Sequence, residues 1–128
     1  MRSRYSVRAR ELPHFVTSTI VDWLPVFATP ACCDLLAESL AFCREHKALR
    51  LYAWVIMENH FHAVVQADEL PRVMADLKKF TAQRLLALIE REGRNWLLEL
   101  LARAKAAHKH RSRFQLWLAF EERYGGSL

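Results

Sequence analysis

The sequence predicts a single α+β domain spanning all 128 residues, and three observations carry that prediction. Runs rich in Val, Ile, Thr and aromatic residues at 14–21, 49–57 and 60–66 read as strands. Longer stretches between and after them repeat apolar residues at helical spacing. The resulting order is strand, helix, strand, strand, helix, then a further helix and a short strand. That is a ferredoxin-like split βαβ sandwich with an antiparallel sheet and a helix inserted before the last strand.

Each element has its own signal. His14 to Val21 alternates in the manner of a half-buried strand. Pro25 breaks the connection that follows. Thr29 is placed to cap a helix with Pro30 in its first turn, running to about Lys47, with Leu36, Leu40 and Cys43 as its inner stripe. Met57-Glu58-Asn59 is a tight link, so the strands on either side of it should pair as a hairpin. Asp68 is expected to cap the next helix, with Pro71 in its first turn and a stop near Gly93. A third helix is expected over 95–108, packing Trp96, Leu97, Leu100 and Leu101, and an extended piece over 113–118. Residues 118–128 read as an atypical tail. Tyr52, Trp54 and Trp96 are expected in the core, and packing is the first expectation for Trp23 and Trp117 as well.

Composition narrows the function. The apolar share is 52%, which fits a globular domain. No apolar run reaches the roughly 18 residues of a membrane span, and the basic N-terminus has no apolar core of a signal peptide. Cys32, Cys33 and Cys43 lack zinc-site spacing and read as reduced, buried thiols of a cytoplasmic protein. The net charge of +5 favours a polyanionic partner. Residues 100–120 hold no acid and carry Arg103, Lys105, Lys109, Arg111 and Arg113. A second basic set, Lys78, Lys79 and Arg84, falls on the exposed side of the second helix. Either set is a solvated surface or a track for phosphates.

The chemistry concentrates at Tyr52-Ala-Trp-Val-Ile-Met-Glu-Asn-His-Phe-His62. On a strand, His60 and His62 point to one face and Phe61 to the other. Their Cα atoms are then roughly 6–7 Å apart, which lets two imidazoles share a divalent ion. The bland alternative is a pair of hydrogen-bonded histidines. Asn59 suits a turn, since Asn tolerates left-handed backbone, and it also stands beside His60.

Val55-Ile56-Met57-Glu58-Asn59-His60-Phe61-His62 resembles the His-hydrophobic-His (HUH) block of the IS200-like, REP-associated tyrosine transposases. The stretch from His14 to Trp23 is similar to that family's first strand and turn, Leu77 to Arg84 to its long helix, and Phe114-Gln115-Leu116-Trp117 to its next block. The resemblance covers roughly residues 12 to 118 in family order. It implies the same ferredoxin-like fold and binding of single-stranded or hairpin DNA. It also implies a Mg²⁺ or Mn²⁺ ion on His60, His62 and a third polar ligand, and a homodimer. Its chemistry is DNA strand cleavage and rejoining in transposition, through a covalent phosphotyrosine.

The chain departs from the family in one respect. The nucleophilic tyrosine is expected on a helix in a block resembling Tyr-Ile-x-x-Asn-Pro, and no such block occurs in the 128 residues. The third metal ligand, expected beside it, is missing with it. Of Tyr5, Tyr52 and Tyr124, only Tyr124 lies near the expected place, which makes it the candidate catalytic residue. Three readings follow: a transposase-type DNA-binding domain, truncated at the tyrosine helix; a catalytically inactive DNA-binding remnant; and a ferredoxin-like metal-binding or interaction domain unrelated to DNA.

Overall fold

The computed structural model describes residues 10–108, 116–117 and 123–127, with the backbone alone for 107, 108 and 123–127. Strand β1 is His14–Thr19, helix α1 Pro30–His46, strand β2 Arg50–Ile56 and strand β3 His60–Gln66. Helix α2 is Leu70–Arg91, helix α3 Asn95–His108 and strand β4 Arg123–Ser127. Two short 3₁₀ turns, Val21–Trp23 and Val26–Ala28, link β1 to α1.

The four strands form one sheet in the order β2-β3-β1-β4, and every pairing is antiparallel. β1 and β2 therefore run parallel with β3 inserted between them, which is the split βαβ arrangement. The α+β ferredoxin-like reading of the sequence agrees with this order. No single helix among the described residues is long and apolar enough to cross a membrane.

Pattern explains the layering. Along β3, burial alternates residue by residue, with Phe61, Ala63 and Val65 inside. Val16 of β1 lies in register with Ala63 and joins the same inner layer. The helices complete it with Leu36 and Leu40 of α1, Met74, Leu77 and Leu85 of α2, and Leu97 and Leu101 of α3. Trp117 closes the far side. Its ring meets Phe61 at 5.7 Å and Phe27 at 5.9 Å. Its indole Nε1 donates to the buried Thr81 Oγ1 at 3.1 Å, and that hydroxyl in turn donates to the Leu77 carbonyl at 2.8 Å. Each buried polar atom in this relay thus has a partner, as an apolar interior demands.

Several expectations are corrected. Tyr52, Trp54 and Trp96 are not core residues; they are 55%, 49% and 50% exposed. β2 is an edge strand, so Tyr52 and Trp54 have neighbours on one side only. A register shift between Leu51 and Ala53 further turns this stretch outward. The Tyr52 hydroxyl donates to Gln66 Oε1 at 2.8 Å. Trp23 is 58% exposed, and Trp117 is the one of that pair that packs. Glu69, not Asp68, holds the N-cap position of α2, and neither it nor Thr29 makes a side-chain cap. Of the extended piece expected at 113–118, residues 113–115 and 118 lie outside the described set, and Trp117 makes an isolated bridge to Ile20.

Part of the span read as an atypical tail is a strand. Arg123–Ser127 pairs with β1 as the second edge strand, despite Gly125 and Gly126. An edge tolerates glycine because it need not supply side chains to two neighbours. The end of α2 matches expectation. Gly93 has φ +75°, with its N–H bonded to the Glu90 carbonyl and the Arg94 N–H to that of Ile89. This is the double bond of a Schellman cap, which needs a left-handed residue at that point.

Candidate functional site

His60 and His62 lie on the open face of the sheet, in the positions alternating with Phe61, Ala63 and Val65. Their rings are 4.8 Å apart between centroids at an interplanar angle of 77°. Each Nδ1 is held by a neighbouring side chain: His62 Nδ1 by Thr17 Oγ1 at 2.8 Å, and His60 Nδ1 by Asn59 Oδ1 at 2.7 Å. Thr17 is the register partner of His62 on β1, so the sheet itself supplies that contact.

The tautomer of His60 follows from its hydrogen bonds. The Asn59 amide nitrogen donates to the Trp23 carbonyl at 3.3 Å, which leaves Asn59 Oδ1 facing His60. An amide oxygen only accepts, so His60 Nδ1 carries the proton and Nε2 keeps the lone pair. An oriented imidazole with its far nitrogen free of protons is what metal-ligating histidines use. Thr17 can donate or accept, so His62 is oriented by its contact without being restricted to one tautomer.

Two aromatic rings flank the pair. Phe15 stacks on His62 at 5.1 Å and 23°, and Trp23 meets His60 edge-on at 5.9 Å. Beside them a shallow hollow of about 240 Å³ opens between β1, β3 and the edge strand, with Phe15, Val55 and Val64 in its lining. Sequence reasoning missed Phe15, Thr17 and Trp23 as neighbours. For Phe15 and Thr17 a signal existed, because they alternate onto one strand face; Trp23 arrives only through the fold. Asp22 and Trp23 take left-handed φ of 54° and 57°, a costly backbone for residues other than glycine, and that turn carries Trp23 to His60.

The fit to a metal is that of a half-site. Two imidazoles on one ion at about 2.1 Å and a right angle have centroids about 4.6 Å apart, close to the observed spacing. Among the described residues no group of three or more His, Cys, Asp or Glu forms a metal site. The remaining ligands would come from water or from an anionic partner.

The other candidates are dispersed. Tyr124 lies on β4, its Cα in register with Val16; the adjoining row runs Arg123, Thr17, His62, Val55. Lys79 and Arg84 are exposed on the outer side of α2 with Lys78 half-buried beside them, on the face of the domain away from the histidines. Arg103 is exposed on α3. Lys105 does not join a basic surface: it is 6% exposed, and its Nζ is buried without a hydrogen-bond partner among the described residues. It follows Leu97 and Leu101 at helical spacing, so the helix turns it inward. Lys109, Arg111 and Arg113 lie outside the described residues. Cys32 and Cys43 are buried and unbridged, with burial raising both thiol pKa values.

No known family model matches the chain, and no curated protein matches it.

The His60 imidazole titrates below the usual 6.5, first because burial disfavours its charged form and second because His62 is beside it. As pH falls, the unfolded chain therefore takes up this proton before the folded one does. The stability linked to His60 is full above about 6.5 and is lost as pH drops toward the lower folded value. Thermal melts between about pH 7 and pH 5 should show a decline that is smaller in His60→Gln. Parallel declines in the two proteins would contradict the assignment.

Proposed function

We propose that this chain is a transposase-type domain that binds single-stranded or hairpin DNA and uses His60 and His62 to hold a divalent ion against a DNA phosphate. The observation that carries the reading is the relay from the Trp23 carbonyl through Asn59 to His60, which fixes one imidazole for ligation beside a second. The resemblance of residues 55–62 to the His-hydrophobic-His transposase block, the ferredoxin-like strand order and the net charge of +5 support it. The ion is Mg²⁺ or Mn²⁺, which polarises a phosphate oxygen and offsets its charge when bound. The chain's own residues orient that centre: Thr17 and Asn59 hold the rings, and Phe15 and Trp23 flank them with apolar surface. Strand cleavage and rejoining belong to the family the chain resembles. A homodimer is part of the same proposal.

The second reading is DNA binding without strand cleavage, and one observation favours it. Tyr124 sits on an edge strand in the row of Val16, whereas the family's nucleophile sits on a helix. Covalent transfer needs a tyrosine in line with the bound phosphate, and a misplacement of about 1 Å can cost roughly a hundredfold.

Three outcomes are expected. In calorimetry, Mn²⁺ binds the wild type. His60→Ala and His62→Ala each weaken that binding, and Asn59→Ala weakens it by at least about tenfold, the usual cost of a lost orienting contact. Equal affinity in all four proteins removes the metal site.

Binding to single-stranded DNA should fall with salt at a log–log slope of about −0.7 per phosphate contacted. Replacing Lys78 and Lys79 with glutamine flattens the slope for every sequence alike. An affinity indifferent to salt rejects the nucleic-acid reading.

Denaturing electrophoresis with labelled hairpin DNA and Mn²⁺ should show no labelled protein band. A band that disappears in Tyr124→Phe establishes Tyr124 as the nucleophile and strand cleavage as an activity of this chain.

A further inference from the structure

The outer side of the two long helices carries a feature that the histidines do not touch. α1 and α2 leave between them a groove of about 390 Å³, whose lining includes Phe42, Lys47, Asp76, Lys79, Phe80 and Arg84. Across it runs a column of stacked groups. The His46 ring lies 4.5 Å from Phe42, and Phe42 lies 6.0 Å from Phe80 with the planes only 9° apart. The Arg84 guanidinium carbon sits 3.7 Å above the centre of the Phe80 ring. Each helix contributes two members spaced four residues apart, which places them one above the other on one helix face.

The column leaves its aromatic surface open. Phe42 is 45% and Phe80 37% exposed. A contact serving only to join two helices gains most by burying such rings, since apolar surface removed from water stabilises the packing in proportion to its area. Here the two rings remain partly exposed along a groove that cations also line. Lys47, Lys79 and Arg84 line it together with Asp76, which lies 3.5 Å from Lys47, and Glu45 lies 3.8 Å from His46 at the end of the column. Partly exposed aromatic rings among cations are the chemistry that takes unpaired nucleobases, the uncovered ring surface stacking on the base and the cations meeting its phosphates. A duplex keeps its bases inside and presents no face to the rings. An acidic peptide meets the cations and leaves the rings unused.

We propose that the groove between α1 and α2 is a stacking site for unpaired nucleobases of single-stranded nucleic acid. Phe42 and Phe80 form the platform, and Lys47, Lys79 and Arg84 hold the flanking phosphates. The proposal rests on the nucleic-acid reading above and adds to it a second contact, on the side of the sheet opposite His60 and His62. That contact needs no metal.

The test uses the whole chain and a short thymidine oligonucleotide carrying one 2-aminopurine, titrated in EDTA so that no metal contributes. Binding should quench the 2-aminopurine, and the matched duplex should bind more weakly. The paired variant Phe42→Leu and Phe80→Leu keeps apolar bulk and removes the rings. It should weaken binding at least about tenfold, the usual loss when one base-stacking contact is removed, and abolish the quench. Arg84→Gln with Lys79→Gln, both at exposed positions, checks the cations without touching the interior, and circular dichroism checks the fold of each variant. Wild-type affinity and quench in the leucine variant overturn the proposal, as does equal competition by the duplex or by polyglutamate. Metal-stimulated binding that survives loss of both histidines, with the groove variants still defective, overturns the metal-site reading and leaves the groove standing.

Discussion

The period-two alternation of β3 is the constraint on which the rest of the structure depends. Phe61, Ala63 and Val65 fill the layer beneath the helices, and the residues between them face the open side. A slip of one residue in register would exchange the two sets. It would turn two imidazoles into the buried layer where Phe61 meets Trp117 and put Phe61, which is fully buried, into water. Burying unpaired polar rings and exposing that side chain each cost kilocalories. The core and the histidine pair are therefore held by one interaction. The energy that packs Phe61 also aims His60 and His62.

The turn before β3 is clasped from two directions. Met57 N–H bonds to the His60 carbonyl, Ile20 N–H to that of Asn59 and Phe27 N–H to that of Glu58. The segment around 20–27 that makes the last two bonds is itself anchored by Arg94. The Arg94 guanidinium reaches the carbonyls of Pro25 and Val26 at 3.2 and 3.1 Å, and pairs with Glu92 at 2.8 Å. Arg94 follows the Gly93 cap directly, so the end of α2 fixes the loop that fixes the hairpin. The left-handed turn at Asp22 and Trp23 persists because this network over-determines it. Its cost is offset by bonds made elsewhere, and its product is the carbonyl that orients Asn59.

Local regularities were legible in the sequence. The strand at 60–66, the helix at 95–108 and the common face of His60 and His62 depend on periods of 2 and 3.6 and on little else. What required the fold was sheet order. Tyr52 and Trp54 look like core residues in a strand-like run, and only the placement of β2 at an edge exposes them. Residues 118–128 read as an atypical tail because they depart from the block of the family the chain resembles, and Arg123–Ser127 is a strand because β1 offers it an open edge. Lys105 reads as a surface cation by type, although its spacing from Leu97 and Leu101 points inward. Trp23 reaches His60 across 37 residues of chain, a separation at which no local pattern speaks, whereas the alternation of β1 marks the face of Thr17 but not its partner His62, 45 residues on.

The chemistry of the candidate centre also limits how it can work. Imidazole is a neutral nitrogen donor, whereas Mg²⁺ and Mn²⁺ favour oxygen. Two such donors hold a hard ion weakly, and the described residues bring no carboxylate cluster to help. The burial that lowers the His60 pKa does assist, because a neutral imidazole keeps its lone pair for a ligand. The missing oxygens are then best supplied by the anion the ion is meant to act on. On the proposed reading, phosphate and ion complete each other's site, and each raises the affinity for the other by the same factor. The protein's contribution is narrower: two rings fixed by a strand, a turn and two side-chain oxygens, on a surface open enough to admit a phosphate.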